Sequence, residues 1–271
     1  MIILLILLIA FVLMFILRTY SFYQTVDKNT LIFSEMIPQP ETAKINLIVT
    51  LFITQYRTWD HAAKTQVELL EKLADDCIIG AHTWEKSEIP IELQKFKYKI
   101  TQTENISDKD YASDMRSKEY ITTWFKRQQF STKTALENAE FIYKQTHDNN
   151  DMPDEQIIIV LRPDSTPKID NFPLVPIKED NFVMATFSSE IKSQYDIQMN
   201  NIIYITTKKT ILKIYSIDIE LFWNKVEDIP KSSISAEVIF YKILEDLNIK
   251  PIFNFDMKFG IFRDAEKIQW V

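Results

Sequence analysis

The chain has 271 residues, 46% hydrophobic and 25% charged, enough apolar material for one large α/β core. A net charge of −7 and a pI near 5.2 argue against a dedicated nucleic-acid binder, which carries a basic face. Only two glycines occur, Gly80 and Gly260, which excludes a P-loop and a GxGxxG dinucleotide loop, because both need several glycines close together.

Met1 to Leu17 is wholly apolar and is stopped by Arg18. Its length is at the lower limit for a bilayer-spanning helix. It lacks the basic start and small-residue cleavage site of a signal peptide, so residues 1–18 are expected to be an uncleaved transmembrane anchor. Arg18 and Lys28 flank its carboxyl side only, which favours a cytoplasmic domain over a lumenal one. The sequon Asn105-Ile106-Ser107 bears on glycosylation only in the lumenal case. Residues 19–44 are polar, hold Pro38 and Pro40, and read as a stalk leading into a domain over 45–271.

That domain opens with Ile45 to Ile53, an apolar run suited to a strand buried on both faces. Thr54-Gln55-Tyr56-Arg57-Thr58-Trp59 leads into a helix whose Ala63, Val67, Leu70 and Ala74 make one apolar stripe. Cys77 to Ala81 is a second short strand ending in His82-Thr83-Trp84. Strand, helix and strand in so short a span predict a parallel crossover. Cys77 has no Cys or His neighbour and reads as a small buried hydrophobe. Residues 85–120 show no period and look like an excursion. Helical character returns at Trp124, breaks near Gln129-Phe130, and resumes with Ser131 as an N-cap before Ala135, Ala139 and Ile142.

The central stretch is Gln156 to Asp164. Ile157 to Leu161 is a short, mostly β-branched run, again of the doubly buried kind, and Pro163 ends it. Arg162 and Asp164 are thereby placed at the carboxyl end of a buried strand, where open α/β sheets bind ligands. Pro163, Pro167, Pro173 and Pro176 make the following segment a surface loop. Phe182 to Phe187 and Asn201 to Ile205 read as strands, Lys208 to Lys225 as an interrupted helix, and a last helix starts near Ser235. Pro251 to Phe255 and Phe259 to Arg263 close the domain as short strands.

Five of these features occur in a fixed order. They are the Arg57-Thr58 turn, His82-Thr83-Trp84, Arg162-Pro163-Asp164, the helix start Ser235-Ala236-Glu237 and the strand end Ile261-Phe262-Arg263. As an ordered set, covering about Ile45 to Arg263, they resemble polysaccharide-type and viral glycosyltransferases of the GT-A, nucleotide-sugar class. The resemblance implies a Rossmann-like mixed sheet flanked by helices, a nucleotide-sugar donor, and a glycan or glycoconjugate acceptor. It also implies Mn²⁺ or Mg²⁺, although the usual Asp-x-Asp is here Arg162-Pro163-Asp164, with one acid. It assigns Asp164 to the metal or sugar hydroxyls and Glu237 to the catalytic base. Arg57, Thr54, His82, Arg162, Arg263 and Ser131 are assigned to the nucleotide-sugar, with Gln129 beside Ser131.

Each assignment has a plainer counterpart. Arg162 and Asp164 also suit a surface ion pair, Glu237 a helix-dipole partner, His82 a structural histidine and Trp59 a core aromatic. Asp108-Lys109-Asp110 follows no apolar strand and reads as a solvated acidic loop. Two other classes compete: a catalytically inactive membrane or virion protein of the same fold, and a metal-dependent hydrolase. The last lacks support, because His61, His82 and His147 are scattered without ligand spacing.

Overall fold

The computed structural model describes residues 45–53, 59–84, 88–103, 117–168, 181–186, 199–226, 235–254, 258–264 and 267–270. The expected anchor and stalk (1–44), Thr54, Arg57 and Asp108-Lys109-Asp110 lie outside them. Among the described residues no helix is long and apolar enough to cross a membrane.

The predicted opening crossover is present. Strand β1 (Ile45–Phe52) leads to helix α1 (Trp59–Leu73) and back to β2 (Ala74–Thr83), which pairs parallel with β1. Ala74 is not the last residue of the helical stripe; it opens β2, opposite Ile45. The excursion expected over 85–120 holds structure of its own: a 3₁₀ turn, Ile91–Lys95, and an edge strand β3, Lys97–Gln102. Lys97 and Tyr98 of that edge are exposed, and Lys99 stacks 3.8 Å over the Phe141 ring.

The helix break expected at Gln129-Phe130 is absent. One helix, α2, runs from Lys118 to Thr146, and its N-cap is Ser117, whose side chain accepts from the Tyr120 amide. Ser131 lies in mid-helix and caps nothing. Its hydroxyl is engaged by His82, a partner that local sequence does not reveal.

After α2 the chain forms β4 (Ile157–Leu161), β5 (Ser165–Lys168), β6 (Asn181–Thr186) and β7 (Met199–Thr207). Two short helices follow, α3 (Lys208–Ile214) and α4 (Ile219–Phe222), then α5 (Ala236–Asp246) capped by Ser235. Strands β8 (Lys250–Asn254), β9 (Lys258–Asp264) and β10 (Lys267–Trp270) end the chain.

Seven strands make the main sheet in the order β3-β2-β1-β4-β7-β6-β8. All run parallel except β7, which is antiparallel to both neighbours. Alternate residues of the central strands feed two cores. Ile48, Phe52, Ile79, Ile159 and Leu161 face α1, whereas Val49, Leu51, Ile78, Ile158 and Val160 face α2 and α5. This is why β4 reads as an unbroken apolar run and β1 as a mostly apolar one.

A second sheet, β10-β9-β5, starts directly after Asp164. The segment expected to be loop therefore contains a strand with Pro167 in it, on the edge of a three-stranded sheet, where a missing N–H is tolerated. The closing strand expected at Phe259 to Arg263 is β9, the centre of this second sheet.

Helix α2 packs unusually close to β2. A Cβ on Gly80 would lie 2.0 Å from the Ala135 carbonyl oxygen and 2.9 Å from the Ala139 Cβ. Gly80→Ala is therefore expected to cost roughly 3 kcal/mol through overpacking against backbone. Thermal unfolding should show a drop of roughly 6–12 °C; an unchanged midpoint contradicts the close approach.

Candidate functional site

Strand order locates the site before any side chain does. The chain winds outward from β1 through β2 to β3, then returns on the other side of β1 as β4. The switch point therefore lies between β1 and β4, at whose carboxyl ends open α/β sheets place their ligand crevice. β1 ends at Phe52, shortly before the segment that holds Thr54 and Arg57. β4 ends at Leu161, immediately before Arg162-Pro163-Asp164.

The turn after β4 is closely held. Arg162 Nε donates to Asp164 Oδ1 at 2.9 Å and Nη2 to Oδ2 at 2.5 Å, a bidentate pair. The Arg162 side chain is 31% exposed and that of Asp164 11%. The Ser165 amide and hydroxyl both donate to the Arg162 carbonyl, at 3.0 and 2.6 Å.

Beneath the turn lies Gln66 of α1, fully buried. Its amide nitrogen donates to the carbonyls of Pro163 at 3.0 Å and Ser165 at 2.8 Å, with a longer contact to Arg162 at 3.3 Å. Its oxygen accepts from Trp59 Nε1 at 3.0 Å. Next to it in the chain, Thr65 shares a hydroxyl bond of 2.7 Å with Thr166. Trp59 is thus a core residue, as its plainer reading held, and it anchors the start of α1 next to the segment that carries Arg57.

Two other expected residues come to this place or near it. β9 pairs with β5 through Ser165 and Ile261 and continues past that pair to Arg263, so its backbone runs toward the Arg162–Asp164 turn. Glu237 is in the first turn of α5 and half-buried. Because α5 ends where β8 begins, its start lies at the carboxyl edge of the sheet, but on the β7–β8 side rather than beside β4.

His82 and Ser131 meet each other rather than the crevice. His82 Nδ1 bonds the Ser131 hydroxyl at 2.9 Å and Nε2 the Thr103 hydroxyl at 2.7 Å, with the ring fully buried. Trp84 and Phe130 pack edge-on against it. Burial pushes the imidazole down from 6.5 to about 4. It is a neutral bridge between β2, α2 and the end of β3. Gln129 donates to the carbonyls of Tyr215 and Ile217 and so holds the α3–α4 turn. Cys77 is buried with its thiol pushed up to about 12, which leaves it no nucleophilic role.

Fitting a divalent ion here meets a specific obstacle. Both Asp164 oxygens already face a guanidinium, and a dication about 4 Å from that cation meets repulsion of roughly 8 kcal/mol at an effective dielectric near 20. Among the described residues no group of three or more His, Cys, Asp or Glu side chains has a metal-binding arrangement. The residues present fit an anion at the guanidinium better than a metal at the carboxylate. A cleft of about 560 Å³ beside the start of α1 has Asp60, Glu88 and Glu92 among its lining residues, the wrong sign for a diphosphate.

No protein-family model matches the chain, and no curated protein matches it at a significant level.

Two outcomes check the site. Gln66→Leu strands two carbonyls and the Trp59 indole, and should cost about 2–4 kcal/mol in chemical unfolding. For His82, the folded chain binds fewer protons than the unfolded chain between pH 6.5 and about 4. Stability is then full above pH 6.5 and declines as pH falls toward 4, by on the order of 3 kcal/mol in all. A His82→Gln variant should lack this part of the acid dependence in denaturant titrations across that range.

Proposed function

We propose that the chain is a nucleotide-sugar-dependent glycosyltransferase of the GT-A class, tethered by its apolar residues 1–18 to a membrane. The observation that carries this reading is Arg162-Pro163-Asp164 at the carboxyl end of β4, on the switch point of a mixed sheet and pinned there by a buried amide. A mixed sheet with helices on both faces is the architecture that the sequence resemblance implies.

The reaction needs three things. The donor's diphosphate must be held while the bond between its oxygen and the sugar's anomeric carbon breaks and the electron pair stays on the diphosphate. The acceptor's hydroxyl oxygen must form the new bond to that carbon. Its proton must go to a base. Arg162, with Arg57 and Arg263, is assigned to the diphosphate, because a guanidinium fork matches phosphate oxygens and stabilises charge that grows as the bond breaks. Asp164 orients Arg162 and keeps lone pairs for sugar hydroxyls. Glu237 is assigned to the proton, as a half-buried carboxylate at the same sheet edge.

A thermal-shift screen of UDP-, GDP-, CMP- and dTDP-sugars should give one family of hits. A donor at about a hundred times its Kd adds about 2.7 kcal/mol of stability. Asp164→Ala should lose transfer by about 100-fold or more with its circular dichroism unchanged. Glu237→Gln should lower kcat by about 10²–10⁴ with KM little altered. No shift with any donor would favour the inactive, structural reading of the same fold; a Glu237→Gln enzyme with normal kcat removes that residue from catalysis.

A further inference from the structure

A guanidinium has two edges that can each grip an oxyanion with parallel N–H groups. In Arg162 the edge formed by Nε and one Nη2 hydrogen is taken by Asp164. The other edge, formed by Nη1 and the second Nη2 hydrogen, bonds no described residue, and the side chain is 31% exposed. The fork is therefore held from one side and open on the other.

The hold is built into the fold. The carbonyls of Arg162, Pro163 and Ser165 all accept from the Gln66 side chain, and Ser165 donates twice more into the turn. The turn is flanked by two fully or nearly fully buried residues, Ser165 and Thr166, and Asp164 itself is 8% exposed. Swinging Arg162 away would uncover Asp164 without a partner in a nearly buried position, a costly state for a carboxylate.

We infer that this site binds a diphosphate without a divalent metal, with the open edge of the Arg162 guanidinium standing where a metal ion would otherwise neutralise the leaving group. The inference rests on the glycosyltransferase reading and departs from the metal dependence its fold class implies. Asp164 acts as a positioning residue: it fixes the fork, and the guanidinium charge beside it repels a cation. Gln66 positions the turn that carries both.

Inorganic pyrophosphate and UDP, GDP, CDP and dTDP are the probes, titrated calorimetrically into the full chain in detergent, once with EDTA and once with Mn²⁺. Pyrophosphate and at least one nucleoside diphosphate should bind in EDTA, with Kd changed less than about threefold by Mn²⁺. Arg162→Gln should abolish that binding, and Arg162→Lys, which keeps charge but loses the fork, should weaken it tenfold or more. Asp164→Asn should weaken it by less than Arg162→Gln does. Thermal unfolding of each variant separates lost binding from lost fold, and Arg162→Lys preserves the local charge.

Binding that requires Mn²⁺ and is lost in Asp164→Asn overturns the metal-free site while leaving the transferase reading intact. Binding in EDTA that survives Arg162→Gln overturns the role of Arg162. No binding of any diphosphate in either condition overturns the transferase reading and this inference with it.

Discussion

A single side-chain amide holds together the part of this molecule most suited to chemistry. Gln66 lies in the core between α1 and the turn after β4, with its nitrogen on the turn's carbonyls and its oxygen on Trp59. Carbonyls that end a buried strand must find donors, because they have left the sheet ladder and have not reached water. Most proteins meet that need with backbone or solvent. Here a helix side chain meets it, so the start of α1 and the end of β4 become one rigid unit across the switch point.

The sheet supplies the frame around that unit. Four parallel strands place their carboxyl ends in a row, and the reversed β7 then starts at the same edge where they finish. The second sheet grows from the same turn, because β5 begins one residue after Asp164 and brings β9 with it. Arg162 and Asp164 therefore sit where two sheets diverge. A ligand bound there would contact elements from both, which is a favourable place to convert binding energy into orientation.

What the sequence revealed follows the physics of burial. β1 and β4 were legible because strands covered on both faces must be largely apolar. α5 was legible because Ser235 caps it by a purely local bond. β3 was hidden because an edge strand with Lys97 and Lys99 has no apolar signature, and β5 because Pro167 is allowed only by its edge position. The mid-helix Ser131 looked like a cap since short-range pattern cannot show that its hydroxyl belongs to His82, 49 residues away in the chain. Arg162 and Asp164 could be placed at the carboxyl end of β4 from the strand they follow. Gln66 could not: a glutamine on a helix reads as surface, and only the tertiary fold shows three carbonyls waiting for it. His82 was found as a position, and the partners on both ring nitrogens fit the plainer of its two readings, a structural histidine.

The exposed edge at β3 has a consequence for how copies of this chain meet. Among the described residues no strand pairs with the outer edge of β3; such an edge invites a neighbouring strand, yet Lys97 and Tyr98 stand exposed along it and Lys99 is drawn onto Phe141. Two such edges approaching each other would bring lysines face to face, and that repulsion opposes growth of the sheet from one molecule into the next. Molecules crowded together could thus lie side by side without fusing into fibrils.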